Sequence, residues 1–133
     1  MSYLYAGLPV NEKVLKSFNE TFKQAKDVEW FVSPGMDTYL AYFKKDDIDY
    51  RITYDKDGRF LYSIRYYKED NLPMYILFKL RDKYKGRSIY GVTEVINDGG
   101  IYYNIVMEDK ANWWIVKITS NEFMQVTQKL RKP

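Results

Sequence analysis

The sequence predicts an α+β fold in which two helices pack on one face of a mostly antiparallel sheet of about eight strands. Two stretches have apolar residues at helical spacing, and eight stretches rich in Tyr, Ile, Val, Phe and Trp are separated by turn residues. The same order of elements, a helix followed by four strands, occurs twice. Because no linker interrupts the 133 residues, we expect a single domain made of two structural repeats, at about residues 11–68 and 71–131.

The first repeat begins with a helix predicted over residues 12–25, for which Asn11 is available as the N-cap. Its apolar stripe consists of Val14, Leu15, Phe18, Phe22 and Ala25. Four strands are predicted after it, at about residues 27–33, 37–44, 48–54 and 60–67. Tyr50, Ile52 and Tyr54 alternate with Arg51 and Thr53, which is typical of a strand with one buried face.

The second repeat begins with a helix opened by Asn71-Leu72-Pro73, since proline is tolerated in the first turn, and stopped by Gly86. Its apolar stripe consists of Leu72, Ile76, Leu77, Leu80 and Tyr84. Four further strands are predicted at about residues 88–96, 101–108, 113–118 and 123–130. Turn residues at Asn97–Gly100 and Asp109–Asn112 separate them.

The repeated order indicates an internal duplication. In the alignment that the sequence favours, Phe18 and Phe22 correspond to Ile76 and Leu80. Residues 39–43 correspond to residues 102–106, and residues 50–54 to residues 114–118. One half alone would be marginally stable, whereas the two halves together can form one antiparallel sheet.

The chain has no Cys and no His, which excludes disulfides, thiolate sites and every nucleophile–histidine arrangement. Catalysis by a hydrolase or lyase would rest on carboxylates such as Glu29, Asp47 or Glu94, and nothing in their spacing pairs them. Asp55-Lys-Asp-Gly58 lacks the remaining acidic ligands of a calcium loop and is interpreted as a hairpin turn. We therefore expect no enzyme, no metal and no cofactor.

The charge balance gives no sign of a nucleic-acid or membrane partner. The chain has 21 Lys and Arg against 18 Asp and Glu, and no apolar run is long enough to insert in a membrane. The basic tail at residues 129–133 could contact phosphate or an anionic membrane, but a solvated end that blunts an edge strand explains it more simply.

The aromatic residues suggest a binding surface. The 14 Tyr, 7 Phe and 3 Trp exceed what two short helices and one sheet face readily bury. If Tyr50, Ile52, Tyr54, Tyr103, Ile105, Trp114 and Val116 face the helices, strand alternation directs another set outward. This set consists of Leu40, Tyr42, Arg51, Arg65, Tyr67, Tyr102, Trp113 and Lys117. Tyr, Trp and Arg are enriched among interface hot spots, although cross-strand aromatic pairs also stabilise an ordinary sheet.

Besides the enzyme hypothesis, which the spacing does not support, the sequence suggests two functions. The first is a non-catalytic binding or inhibitor-like module that presents the outward sheet face to a protein partner. The second is a carrier that holds a small apolar ligand between the helices and the sheet, because aromatic-lined pockets suit such ligands.

The order of several short motifs also resembles the PepSY-like, β-lactamase-inhibitor-like family of small exported bacterial proteins, mostly from Bacteroidetes. The matching segments are Val28-Glu-Trp30, Tyr39-Leu-Ala-Tyr-Phe43, Tyr54-Asp-Lys-Asp-Gly58, Leu72-Pro73 and Tyr84-Lys-Gly86. The resemblance covers nearly the whole chain and implies two tandem helix-plus-sheet units. It implies no catalytic residues.

The sequence departs from the family pattern in its second half, where the turn Thr119-Ser-Asn-Glu-Phe123 has no glycine. The resemblance implies a periplasmic or secreted location if this is a mature form. Residues 1–10 lack the basic start, apolar stretch and cleavage site of an intact signal peptide.

Overall fold

A computed structural model describes residues 10–35 and 37–133 of the chain. The N-terminal segment that we expect not to be a signal peptide lies outside the described residues, apart from Val10. The helices are α1 (Glu12–Thr21) and α2 (Met74–Lys83), and a short 3-10 turn lies at Glu69–Asn71. The strands are β1 (Glu29–Val32), β2 (Thr38–Lys45), β3 (Ile48–Asp55), β4 (Phe60–Tyr67), β5 (Ser88–Asn97), β6 (Gly100–Glu108), β7 (Asn112–Thr119) and β8 (Met124–Arg131).

The strands form an eight-stranded sheet in the order of the sequence, from β1 to β8. The predicted α+β class, with two helices packed on an antiparallel sheet, is confirmed. The chain divides into two compact units, one up to Ile64 and one from Arg65 onwards, each with its own helix. That these units behave as a single domain stays a prediction. Neither described helix has the length and apolar character needed to cross a membrane.

In the first unit, α1 is capped by Asn11, whose side chain accepts a hydrogen bond of 3.0 Å from the Val14 amide. The helix ends before Phe22, earlier than predicted. Phe22 leaves the helical backbone conformation (φ −116°, ψ 63°) while its N–H still bonds to the Phe18 carbonyl. The buried face of α1 therefore consists of Val14 and Phe18.

The core of the first unit is aromatic. It consists of Val14, Phe18, Val32, Tyr39, Ala41, Phe43, Ile52 and Tyr54. The Phe18 ring meets Trp30 and Phe43 edge to face, with centroids 5.1 and 5.6 Å away. The Phe43 ring stacks on Tyr50 at 4.7 Å. Such ring pairs add to the stabilisation that burial of the same area supplies.

In the second unit, α2 follows Pro73 and buries Ile76 and Leu80. Gly86 lies past the end of the helix with a φ of 82°, a backbone conformation that glycine adopts without strain. Strands β5, β6 and β7 bury alternate side chains, as predicted from their pattern, whereas β8 buries none. The buried members are Val92, Glu94, Tyr103, Ile105, Met107, Trp114, Val116 and Ile118.

The two units repeat each other in strand register. In the first unit, β2 pairs with β3 through Tyr39↔Tyr54, Ala41↔Ile52 and Phe43↔Tyr50. In the second, β6 pairs with β7 through Tyr103↔Ile118, Ile105↔Val116 and Met107↔Trp114. A single shift in residue number relates all three pairs, so the duplication that the sequence indicated is present in the geometry.

The predicted alignment of the repeats was wrong in two places. The helices match with Val14 on Ile76 and Phe18 on Leu80, one turn away from the prediction, because apolar residues recur every four positions and spacing alone does not fix the turn. The buried Tyr39 matches Tyr103 rather than Tyr102, since these adjacent tyrosines give the same sequence pattern in either register.

Candidate interaction surface

An apolar depression lies on the outer side of the first unit. In β2, Tyr39, Ala41 and Phe43 enter the core, so strand alternation directs Leu40 and Tyr42 to the opposite side. Antiparallel pairing places Phe31 of β1 opposite Leu40 and Glu29 opposite Tyr42. The same pairing places Arg51 of β3 opposite Tyr42 from the other side. These five residues, here called the first-unit patch, line an open depression of about 390 Å³.

The polar groups of the first-unit patch surround its apolar centre. The Arg51 guanidinium carbon lies 5.2 Å from the centre of the Tyr42 ring, within the range of a cation–π interaction. Leu40, Tyr42, Arg51 and Phe31 are half-buried, whereas Glu29 is exposed. The patch therefore has an apolar floor with one cation and one anion beside it.

The structure places three of the eight predicted binding residues, Leu40, Tyr42 and Arg51, together in this patch. The prediction missed Phe31 as a member. Strand alternation could have predicted it. In the short strand β1, Glu29 and Phe31 alternate with Trp30 and Val32, and Val32 is buried, so Phe31 points to the outer side.

Three further predicted residues lie on the outer side of the second unit. Tyr102 and Trp113 are neighbours of the buried Tyr103 and Trp114, and they therefore point away from the core. The Lys117 ammonium lies 4.6 Å from the centre of the Tyr102 ring.

Trp113 has its own partners at the other end of the same hairpin. The Lys132 ammonium lies 5.3 Å from its ring and forms a 2.7 Å ion pair with Glu108, which is opposite Trp113 in β6. Trp113 and Tyr102 therefore belong to separate local clusters within the second unit.

The outward orientation predicted for Tyr67 was wrong. Tyr67 is only 4% exposed, and its hydroxyl donates a 3.0 Å hydrogen bond to Glu94, which is 3% exposed. Arg65 completes this cluster, because its Nη2 donates a 2.9 Å hydrogen bond to Oε1 of Glu94, the oxygen that also accepts from Tyr67, and its Nε donates to Oε2. The reason is strand parity, since a slip by one residue exchanges the two faces of a strand. The run Tyr62–Tyr67 has aromatic or aliphatic residues at both parities.

The buried cluster also bears on the enzyme hypothesis. Burial, followed by the nearby Glu94 charge, raises the pKa of the Tyr67 hydroxyl, so this group stays protonated and acts as a hydrogen-bond donor. The Glu94 carboxylate is held in a two-point contact by Arg65, the geometry of a structural ion pair. Glu29 and Asp47 are both exposed, without the burial that separates the pKa values of paired catalytic acids.

No group of acidic side chains that could hold a metal ion occurs within residues 10–35 and 37–133. The Asp55 carboxylate, considered above as part of a calcium loop, accepts hydrogen bonds from the backbone amides of Asp57 and Arg59 at 2.8 and 3.0 Å. Such bonds hold a hairpin turn closed, in agreement with the turn interpretation.

A second depression, of about 320 Å³, lies at the C-terminal end of α1. Phe22, Phe43 and Tyr50 form its aromatic wall, and Lys23 and Lys45 lie at its edge. Within the first unit, this depression is the site that best matches the predicted carrier of a small ligand between helix and sheet.

Comparison with solved structures shows the same fold in proteins from Bacteroides. A BLIP-like protein from Bacteroides fragilis superposes with a TM-score of 0.68 at 13% identity, covering 93% of this chain and 87% of that one. A DUF2874 family protein from Bacteroides ovatus gives 0.66 at 14%, covering 94% and 89%. A predicted periplasmic protein from Bacteroides eggerthii gives 0.65 at 14%, covering 93% and 90%.

This likeness establishes the BLIP-like fold of the chain. No protein-family model matches the sequence, and no curated protein matches it either.

Proposed function

We propose that this protein is a non-catalytic, inhibitor-like binding module that presents the first-unit patch to a protein partner. The observation that carries the proposal is the depression of about 390 Å³ floored by Phe31, Leu40 and Tyr42, with Arg51 against the Tyr42 ring. Interfaces are enriched in aromatic residues and Arg at their centres, and an apolar side chain of a partner would displace water from this floor.

The BLIP-like fold supports this proposal, because the named neighbour is a protein described by its likeness to an inhibitor. We also propose that the chain is a PepSY-like protein that works in the periplasm, as its sequence motifs imply. The predicted periplasmic neighbour from Bacteroides eggerthii is consistent with that location. Fractionation of the source cells, followed by detection with an antibody, would place the protein inside or outside the cytoplasmic membrane.

In the second unit, Tyr102, Trp113 and Lys117 remain in the proposal as additional contact residues. Arg65 and Tyr67 do not, since they are occupied within the buried cluster with Glu94. Alanine at Tyr67 would test folding rather than binding.

The test is affinity capture from an extract of the source cells with separate Tyr42→Ala, Arg51→Ala and Trp113→Ala variants. Tyr75→Ala is the matched control, because Tyr75 is an aromatic residue on α2 with 55% of its surface exposed. We expect a partner that is retained by wild type and by the control but lost with Tyr42→Ala. Equal capture by wild type and all patch variants would reject the first-unit patch as the binding surface.

The depression at the end of α1 favours one alternative, a carrier of a small apolar ligand. Its wall of Phe22, Phe43 and Tyr50 suits an apolar group, and Lys23 and Lys45 suit an acidic one. A native mass spectrum of protein purified from source cells would show an added mass if a ligand is tightly held. The bare polypeptide mass, together with partner capture through Tyr42, would decide for the binding module.

A further inference from the structure

The last strand of the sheet is an open, basic edge. β8 lies at the end of the strand order and is paired with β7, and seven of its eight residues are exposed. An edge strand offers a row of unpaired backbone N–H and C=O groups to another chain. From Met124 to the end of the sequence there are three basic residues and no acidic one.

A pocket lies against the basic end of this strand. Lys129 and Arg131 line it together with Ala111 and Asn112, and its volume is about 450 Å³. Strand register places Lys129 opposite Trp114 and Arg131 opposite Asn112, so both basic side chains lie on the Trp114 side of the hairpin. Among the described residues, neither side chain has a hydrogen bond or an ion pair.

Arg87 and Lys129 both lie against Trp114. The Arg87 guanidinium carbon lies 3.6 Å from the centre of a Trp114 ring, and the Lys129 ammonium lies 5.7 Å from that side chain. The Arg87 Nη1 is buried without a hydrogen-bond partner in the part of the chain that the structure describes. A buried, unsatisfied donor on a charged group is costly, and nearby negative charge lowers that cost.

The Asp109 carboxylate lies near this cluster. The charge of Arg87 contributes to lowering the pKa of Asp109, but hydrogen bonds from the backbone amides of Asn112 and Ala111 are the larger causes. Those bonds, at 2.9 and 2.8 Å, hold Asp109 in its own turn. The other cation that acts on Asp109 is Lys132, which is itself paired with Glu108. Arg87, Lys129 and Arg131 therefore outnumber the remaining carboxylate, and the cluster keeps a positive excess.

We propose that β8 and the cationic cluster of Arg87, Lys129 and Arg131 bind an extended acidic segment of a partner protein. The segment adds to the sheet as a strand beside β8, and a Glu or Asp side chain enters the pocket and accepts hydrogen bonds from Lys129 and Arg131. This strand-addition mode combines backbone hydrogen bonds for affinity with a side-chain pocket for specificity. The site lies in the second unit and is independent of the first-unit patch.

A peptide suits this site better than a nucleic acid. The aromatic side chain of the cluster, Trp114, is 6% exposed and already carries Arg87, so it offers no open ring on which a base could stack. The hydrogen-bonding groups of the open edge, in contrast, match those of an extended polypeptide.

The backbone geometry identifies the groups that would bind the added strand. The Lys132 amide donates to the Ala111 carbonyl of the neighbouring strand end at 2.7 Å. Because N–H directions alternate along an antiparallel strand, the amides of Lys129 and Arg131 point away from β7 and toward the open edge. The two residues that line the pocket thus also present free backbone donors.

Isothermal titration of the full chain with two capped octapeptides tests the proposal. One alternates Val with Glu, and the other carries Gln in place of Glu. We expect the Glu peptide to bind at least about tenfold tighter than the Gln peptide and to weaken as salt is added. Lys129→Gln and Arg131→Gln should each lower its affinity about tenfold. Lys56→Gln, the same charge change at an exposed turn of the first unit, should leave it unchanged.

A competition experiment separates strand addition from simple anion binding. N-acetylglutamate amide and inorganic phosphate supply negative charge without an extended backbone, so we expect them to displace the Glu peptide only at concentrations at least a hundredfold higher. Displacement at equal concentration would overturn strand addition. Equal binding of the Glu and Gln peptides, or tighter binding of a single-stranded oligonucleotide, would overturn recognition of an acidic protein segment.

Discussion

The Ser17 hydroxyl donates a 2.7 Å hydrogen bond to the Gly58 carbonyl and thereby fastens the β3–β4 turn to α1. The second unit has a different connection at the equivalent positions. There the Lys79 ammonium forms a 2.9 Å ion pair with Glu122 in the β7–β8 turn. In the first repeat, a helix side chain bonds to the backbone of the turn. In the second repeat, two charged side chains connect the helix and the turn.

The two turns are closed by the same backbone hydrogen bonds. Asp55 N–H bonds to the Arg59 carbonyl in one, and Thr119 N–H bonds to the Phe123 carbonyl in the other. Gly58 has a φ of 81° and its counterpart Glu122 has a φ of 64°. The turn without glycine therefore keeps the left-handed conformation, at the steric cost that a side chain carries there.

Replacing Gly58 with Ala should destabilise the protein by more than about 2 kcal/mol. The positive φ alone costs roughly 1–2 kcal/mol for a residue with a Cβ. In addition, a Cβ at this position would lie 2.5 Å from the Lys13 carbonyl oxygen and 2.8 Å from the Ser17 hydroxyl. The free energy of unfolding from urea titration is the measurement.

Glu122→Gly is the matched substitution and should change stability by less than about 1 kcal/mol. It relieves the left-handed strain and loses only a half-exposed ion pair, which contributes about 0–1 kcal/mol. A large loss of stability with Glu122→Gly, or a small one with Gly58→Ala, would contradict the difference in packing between the two turns.

Ser17→Ala should cost about 1 kcal/mol of unfolding free energy, because it leaves the Gly58 carbonyl without its hydroxyl donor. Lys79→Gln should cost no more than about 0.5 kcal/mol, since the ion pair with Glu122 is solvent-screened. Thr21→Ala serves as a control, because the Thr21 hydroxyl donates a hydrogen bond within its own helix, to the Ser17 carbonyl. Urea titrations at low and high salt should show salt dependence only for the Lys79 pair.

The sequence contained enough information for the fold class and the element order, because apolar periodicity and turn residues are local signals. It placed Leu40, Tyr42 and Arg51 on one side of the first unit, since β2 and β3 alternate regularly.

The sequence did not predict the orientation of Tyr67. Aromatic residues occur at both alternating positions of β4, and the buried side is the one on which Tyr67 bonds to Glu94. The Arg87–Trp114 contact and the pocket beside Lys129 depend on pairing between distant strands, which periodicity does not report.

Glu94 occupies the position that Val32 holds in the first unit, because Val32 pairs with Tyr39 and Glu94 with the equivalent Tyr103. Glu94→Gln should cost about 2–3 kcal/mol, since it leaves the Arg65 charge without its buried carboxylate. Tyr67→Phe should cost about 1.5 kcal/mol, the value of one hydrogen bond to a charged acceptor. Chemical denaturation measures both.

The triple variant Glu94→Val, Arg65→Met and Tyr67→Phe should recover much of the stability that Glu94→Gln loses. It removes both charges together with the hydroxyl that bonds to Glu94, and it restores the apolar residue of the first repeat. Such replacements of buried ion pairs are often neutral. A triple variant as unstable as Glu94→Gln would show that the polar cluster itself stabilises the fold.

Tyr54 should ionise at a higher pH than ordinary tyrosines. It is buried in the core of the first unit, and desolvation raises its pKa from 10.0 to about 12. Because the folded state favours the neutral phenol, this contribution to stability is fully present below pH 10 and is lost as the pH rises from 10 to about 12.

The measurement is the tyrosinate absorbance of wild type and of Tyr54→Phe as the pH is raised. The difference between the two proteins reports Tyr54 alone, and we expect it to appear near pH 12 while the protein remains folded. A difference signal that titrates near pH 10 in the folded protein would contradict the burial of the Tyr54 hydroxyl. Circular dichroism recorded on the same samples distinguishes that result from alkaline unfolding, which would expose all tyrosines in one cooperative step.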